Sequence, residues 1–117
     1  MKLDRIAEKL SLKNLTPEIG TESNVDVTSG HASDLLSDVL ANAPAGGVLV
    51  TIQAHMNVLA VSVHAGLSAV IFSSGRVPEE EVRQKAVEER IPLYVSEEPT
   101  FDVAGRLYSL GLRGRHA

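Results

Sequence analysis

Cysteine is absent from all 117 residues, and that one absence removes disulfide staples, thiolate metal ligands and thiol nucleophiles together. Tryptophan is absent as well, and two Phe with two Tyr leave aromatic residues at 3% of the chain, so there is no platform of rings on which bases could stack. Cations are also in short supply. Eleven Lys and Arg stand against 15 Asp and Glu, a net charge of −4, where neutralising a phosphate backbone calls for an excess of positive charge. Nucleic acid is therefore not an expected partner. No apolar run is long enough to span a bilayer, and the opening MKLDRIAEKLSL mixes charge with apolar groups instead of forming a continuous secretion-signal core. No membrane partner is expected, and the expectation that fits both is a cytosolic protein.

What is present is the composition of a packed globule. Hydrophobic residues make up 44% and charged residues 22%, which is far from the signature of disorder. A chain of this length reads as one domain, residues 1–117, burying roughly 65% of the surface that its unfolded form exposes.

Leu3, Ile6, Ala7 and Leu10 recur at i, i+3, i+4, i+7, so residues 2–10 read as an amphipathic helix. Residues 14–24 are polar and contain Pro17 and Gly20; they read as a connection, with a short strand near Leu15. Val25 and Val27 alternate with Asp26 and Thr28, which predicts a half-buried strand stopped by a Ser29-Gly30 turn. The following helix has Leu35, Leu36, Val39 and Leu40 as its core stripe and Ser33, Asp34, Ser37 and Asp38 outward or capping its start.

Residues 47–53 form an apolar, β-branched run of the kind that a parallel strand buried on both faces requires. Residues 56–65 mix strand and helix formers, but Asn57 as a cap, Gly66 as a stop and the need for a crossover favour helix. A second buried strand spans 69–73. Pro78 then opens a helix whose first turn holds Glu79, Glu80 and Glu81, where carboxylates meet the positive end of the helix dipole, so the acidic run is explained without a metal. A third strand spans 91–95, and Pro99-Thr100 open a last helix carrying Phe101, Ala104, Leu107 and Tyr108. Strands alternating with helices predict an α/β fold, a mainly parallel central sheet with flanking helices.

Two places could carry chemistry. Thr28, Ser29 and Gly30 stand at the predicted strand-to-helix junction, where backbone N–H groups can face an anion; the reading favoured over that is a plain structural turn. Gln53, His55 and Asn57 gather donors and acceptors where a buried strand ends, the edge at which open α/β sheets place ligands; the bland alternative is that Asn57 caps the helix while His55 satisfies nearby backbone. No phosphate-gripping G-x-x-x-x-G-K-[ST], dinucleotide G-x-G-x-x-G or nucleophile-bearing G-x-S-x-G occurs, so no catalytic residue is assigned. His31, His55, His64 and His116 show neither His-x-His nor His-x-x-x-His spacing, and neither a metal nor any other cofactor is expected. Arg113-Gly114-Arg115-His116 reads as a solvated terminal tail.

Taken in order, Asp26-Val27-Thr28-Ser29-Gly30, the run from Ser33 to Asp38, Thr51 to Asn57, Gly75-Arg76, Ile91-Pro92 and Ala104 to Tyr108 resemble the DRTGG domain family over almost the whole chain. That family is related in fold to the N-terminal domain of HPr kinase and, more distantly, to that of the Mur ligases. Val27 stands where the naming motif has arginine and Ser29 where it has its first glycine; Asp26, Thr28 and Gly30 match. The resemblance implies a non-catalytic regulatory or assembly module, a homodimer that takes a nucleotide or another anionic small molecule, or a protein partner. It implies an association with hydrogenase or acetyl-phosphate metabolism, and uridine nucleotide binding by the distant Mur relatives makes a nucleotide the alternative reading. A phosphotransfer enzyme is the weakest of the readings.

Overall fold

The computed structural model describes residues 1–20 and 25–115. Their order is α1 (Leu3–Lys9), β1 (Lys13–Asn14), a 3-10 turn (Pro17–Ile19), β2 (Ser29–Ala32), α2 (Leu36–Asn42), β3 (Gly47–Thr51), α3 (Asn57–Ala65), β4 (Ala69–Phe72), α4 (Glu80–Glu89), β5 (Leu93–Val95) and α5 (Thr100–Ser109). The strands form one sheet in the order β1-β5-β4-β3-β2, parallel except for β1, which runs antiparallel to β5. The α/β class with a mainly parallel sheet is as the alternation of strand and helix signals predicts.

The buried runs do what their residue types require. Every residue of β3, β4 and β5 is buried, because helices cover both faces of the sheet. On one face Leu49, Val70, Phe72 and Leu93 pack with Val39 of α2, Val58 and Leu59 of α3, and Val82 and Ala86 of α4. On the other, Val48, Val50, Ile71 and Tyr94 pack with Leu3 and Ile6 of α1 and Val103 and Leu107 of α5. The three crossovers β2-α2-β3, β3-α3-β4 and β4-α4-β5 each lead to the adjacent strand, and α5 closes the opposite layer. At the end of α3, Gly66 adopts φ 69°, the left-handed stop that a glycine supplies without strain.

Several boundaries differ from expectation. Ser29-Gly30 is no turn: both residues lie in β2, paired with Gly47 and Val48. Residues 25–28 are the approach to that strand. Their alternation is real, since Val27 is fully buried and Asp26 is exposed, but among the described residues they form no strand, only an isolated bridge of Asp26 with Lys2. Accordingly α2 starts later, at Leu36, and Ser33 and Asp34 precede it. Val39 is buried there, while Leu35 and Leu40 are 64% and 47% exposed, so half of the expected core stripe faces outward. Phe101 and Tyr108 likewise face outward from α5, because Val103 and Leu107, four apart, form its buried ridge.

The C-terminal segment is exposed at Arg113, Gly114 and Arg115, as expected of a solvated tail, but it is tethered. Leu112 is buried, and Arg113 and Arg115 are held by hydrogen bonds to Tyr108 O and Asn42 Oδ1; His116 lies outside the described residues, as do positions 21–24 of the expected connection. No helix among the described residues is long and apolar enough to cross a membrane.

Candidate functional site at the carboxyl ends of the strands

Beyond the carboxyl end of β3 the chain must leave the sheet and start α3, and the exit is organised by one carboxylate. Asp34 Oδ1 accepts the Thr51 hydroxyl at 2.9 Å and the Ile52 N–H at 2.8 Å, and Thr51 Oγ1 in turn accepts the Gln53 N–H at 3.0 Å. Asp34 thus ties the loop after β2 to the loop after β3. The paired termination leaves Gln53 exposed at the rim, with its side-chain amide free of partners among the described residues.

His55 keeps the role that the bland reading gives it, and Asn57 does not. The N-cap of α3 is Met56, which offers no side-chain bond, and Asn57 is already the first helical residue. The orphan N–H of Asn57 is accepted instead by His55 Nδ1 at 3.2 Å. A ring nitrogen that accepts carries no proton, so the neutral ring bears its proton on Nε2, which remains a donor at the exposed rim. The Asn57 side chain is exposed as well. The bland reading is therefore half right: His55 caps, and Asn57 does not.

Arg76 is the residue that sequence reasoning missed as a site candidate. It lies in the loop after β4, the strand next to β3, with Thr51 registered on Phe72, and the Ser74 and Gly75 N–H groups donate to Glu98 O and Ser96 O at 2.8 Å, which ties this loop to the one after β5. Its side chain is exposed and makes no ion pair among the described residues. By contrast Arg83 is bound to Glu18 and Glu80, and Arg106 to Glu98 through two bonds of 2.6 and 2.7 Å. Gly75-Arg76 at a strand end was the available signal. The Arg106 guanidinium holds the Glu98 carboxyl below its ordinary range. In the same region Ser73 Oγ and Thr100 Oγ1 lie 2.6 Å apart, joining the end of β4 to the start of α5.

Thr28, Ser29 and Gly30 sit at the other edge. Ser29 pairs with Gly47, the first residue of β3, and the Thr28 N–H donates to Gly46 O at 3.0 Å. Gln53 is the sixth residue after Gly47, a distance on the order of 20 Å at ~3.3 Å per extended residue. The expected six-residue site is two groups at opposite ends of the sheet. Ser29 Oγ is buried with no hydrogen-bond partner among the described residues, 2.7 Å from where a Cβ on Gly47 would stand, and Thr28 Oγ1 is 2.9 Å from the corresponding point on Gly46. That close approach gives Gly46 and Gly47 a packing reason. Just above, His31 Nε2 meets Asp38 Oδ2 at 2.9 Å, and the Asp38 carboxyl is lowered to about 2, by Asn42 first and then by His31 and Ser33.

Among the described residues no group of three or more His, Asp or Glu side chains is placed to hold a metal ion. The loops after β3 and β4 carry exposed hydrogen-bonding groups instead: the Gln53 amide, the His55 imidazole and the Arg76 guanidinium.

No family model matches this chain, and neither does any curated protein. Among solved structures, the fold is similar to the crystal structure of the CBS and DRTGG domains of the regulatory region of Clostridium perfringens pyrophosphatase, complexed with its activator, diadenosine tetraphosphate, with a TM-score of 0.75 and 17% sequence identity. The likeness covers 91% of this chain and 45% of that one, so this chain spans less than half the length of the structure it matches. It is the fold that the two proteins share.

Proposed function

We propose that this chain is a non-catalytic regulatory module of the DRTGG kind, a single domain over residues 1–117, that senses a nucleotide or another phosphorylated small molecule. The observation that carries the reading is the likeness, over 91% of the chain, to a regulatory region captured with a nucleotide activator. The order of motifs along the chain supports the DRTGG assignment within that pair of domain types. The proposed ligand contacts are Gln53, His55 and Asn57, joined by Arg76 from the neighbouring loop. Thr28, Ser29 and Gly30, at the far edge, are proposed as packing residues.

The same module is proposed to work as a homodimer through the outer faces of α2 and α3. Leu40 of α2, 47% exposed, and Val63 of α3, 49% exposed, support this, with Ala60 small and exposed three residues before Val63. The regulated partners proposed from the family resemblance are enzymes of hydrogenase or acetyl-phosphate metabolism. A thermal-shift series with adenine and uridine nucleotides, dinucleotides and acetyl phosphate tests the sensing role. A ligand at 100 times its dissociation constant stabilises by about 2.7 kcal/mol, enough to raise the midpoint by several degrees in a domain this size. A flat response to every member of the series would remove the sensing role and leave assembly.

A further inference from the structure

His55 supports the start of α3 twice over. Its ring Nδ1 accepts the Asn57 N–H at 3.2 Å, and its carbonyl accepts the Val58 N–H at 3.0 Å. The next donor, the Leu59 N–H, goes to Met56 O at 3.0 Å. The first N–H groups of a helix have no partner inside it, so each needs an acceptor from before the helix. That acceptor is commonly a Ser, Thr, Asp or Asn oxygen, which goes on accepting through the neutral pH range. At Asn57 it is an imidazole nitrogen, and an imidazole takes up a proton between about pH 8 and about pH 5.

Protonation reverses the sense of that bond. An imidazolium donates from both nitrogens, so Nδ1–H and the Asn57 N–H would face each other as two donors. The helix adds to the conflict, because its first turn holds no acidic residue and a cation at the amino end opposes the helix dipole. On the neighbouring elements the charged groups are Asp34 and Asp38 around the start of α2, Arg76 and Glu79 after β4, and Lys85 and Glu89 of α4. His55 forms an ion pair with none of them among the described residues. Asp34 is held by Thr51 and Ile52, Asp38 by His31 and Asn42, and Lys85 by Glu89 at 3.3 Å.

Met56 lies between the two latched residues. It is half-buried against the core on the α3 face, and with Leu59, Ala60 and Val63 it lines a recess of about 390 Å³ that Lys85 and Glu89 of α4 close on the other side. Behind it the helix is secured independently of His55. Val58 is fully buried, and its carbonyl accepts the Ser62 hydroxyl at 2.7 Å.

We propose that His55 is a proton-operated latch on α3: the neutral ring closes the first turn, and the imidazolium opens it and frees Met56 from the wall of the recess between α3 and α4. Acid thereby changes an apolar surface at the start of α3 while the helix from Val58 onward stays in place. The latch needs only a proton, so it stands apart from the sensing role.

The test is an NMR titration of the full chain and of the His55→Asn variant from about pH 8 to about pH 5. Asparagine keeps a side-chain oxygen that accepts an N–H two residues on, and it does not titrate in this range. The signals read are the His55 ring nitrogens, the Asn57 amide, the Met56 methyl, one of two methionine methyls in the chain, and the Leu49 amide as a reference in the central sheet. In the parent chain Nδ1 is expected to be unprotonated at the alkaline end, and the Asn57 and Met56 signals are expected to shift with the midpoint of the ring while Leu49 holds. In His55→Asn all three are expected to stay constant. Four results would overturn the proposal: Nδ1 carrying the proton at the alkaline end, the ring titrating while Asn57 and Met56 stay fixed, Leu49 moving with them, or the same shifts persisting in His55→Asn.

Discussion

Asp34 and Thr51 are joined by a 2.9 Å hydrogen bond between side chains from two different loops, one leaving β2 and one leaving β3. Thr51 is fully buried, and its hydroxyl both donates to Asp34 and accepts from Gln53. A single exposed carboxylate thus fixes how the chain leaves the buried sheet and, through Gln53, where the rim of the proposed ligand site begins.

Asp34→Ala is expected to cost about 1–3 kcal/mol, since it leaves the buried Thr51 hydroxyl and the Ile52 N–H without their acceptor. Asp34→Asn, which keeps an acceptor, is expected to cost less. Thermal unfolding of the two variants checks the order, and equal losses would show that the charge rather than the acceptor matters.

Gly47→Ala is expected to destabilise by about 1–3 kcal/mol, because its new Cβ would stand 2.7 Å from Ser29 Oγ and 3.0 Å from Pro44 O. Gly105→Ala is the control. A Cβ there meets nothing within 4 Å, and alanine has the better helix propensity, so denaturant midpoints should fall for the first variant and hold or rise for the second.

Acid should unfold the protein through identifiable carboxyls. Asp38 sits at about 2 against an ordinary 3.8, held down by Asn42, His31 and Ser33 in that order, and Glu80 and Glu98 are lowered from 4.5 by Arg83 and Arg106. Each is a stronger acid folded than unfolded, so below the ordinary values the unfolded chain binds more protons. Their contribution is complete above about pH 5 and is lost progressively as pH falls toward 2. Asp38→Asn should flatten the lowest part of that decline in a series of melting curves. A decline as steep as that of the parent protein would contradict the role given to Asp38.

Leu40→Asp and Val63→Asp each place a charge on the proposed dimer face. Both residues are about half exposed, so the fold should tolerate the changes while self-association is lost. Sedimentation at high micromolar concentration should give a dimer for the parent chain and a monomer for each variant. A parent chain that sediments as a monomer would remove the dimer.

The legible parts of the fold were those governed by short-range chemistry. Buried β-branched runs marked β3 and β4, Gly66 marked the end of α3, and the Pro78 and glutamate cluster announced α4. β2 escaped because Ser29, Gly30, His31 and Ala32 have no strand-like character of their own. They are in the sheet because small residues fit against Gly46 and Gly47 and because the pairing with β3 demands a partner. Shifting that strand by a few residues moved Thr28 to Gly30 from the expected ligand edge to the opposite one. Arg76 was hidden for a different reason: an arginine acquires meaning only once the neighbouring loops are known.

The central claim is that an anionic ligand is sensed at the rim after β3 and β4, and the most direct measurement is a calorimetric titration with diadenosine tetraphosphate of the parent chain and the Arg76→Ala, His55→Ala and Thr28→Ala variants. The account predicts saturable binding to the parent and to Thr28→Ala, weakened at least tenfold, about 1.4 kcal/mol, in the other two. Absence of binding to the parent chain, or equal affinity across all four proteins, would contradict it.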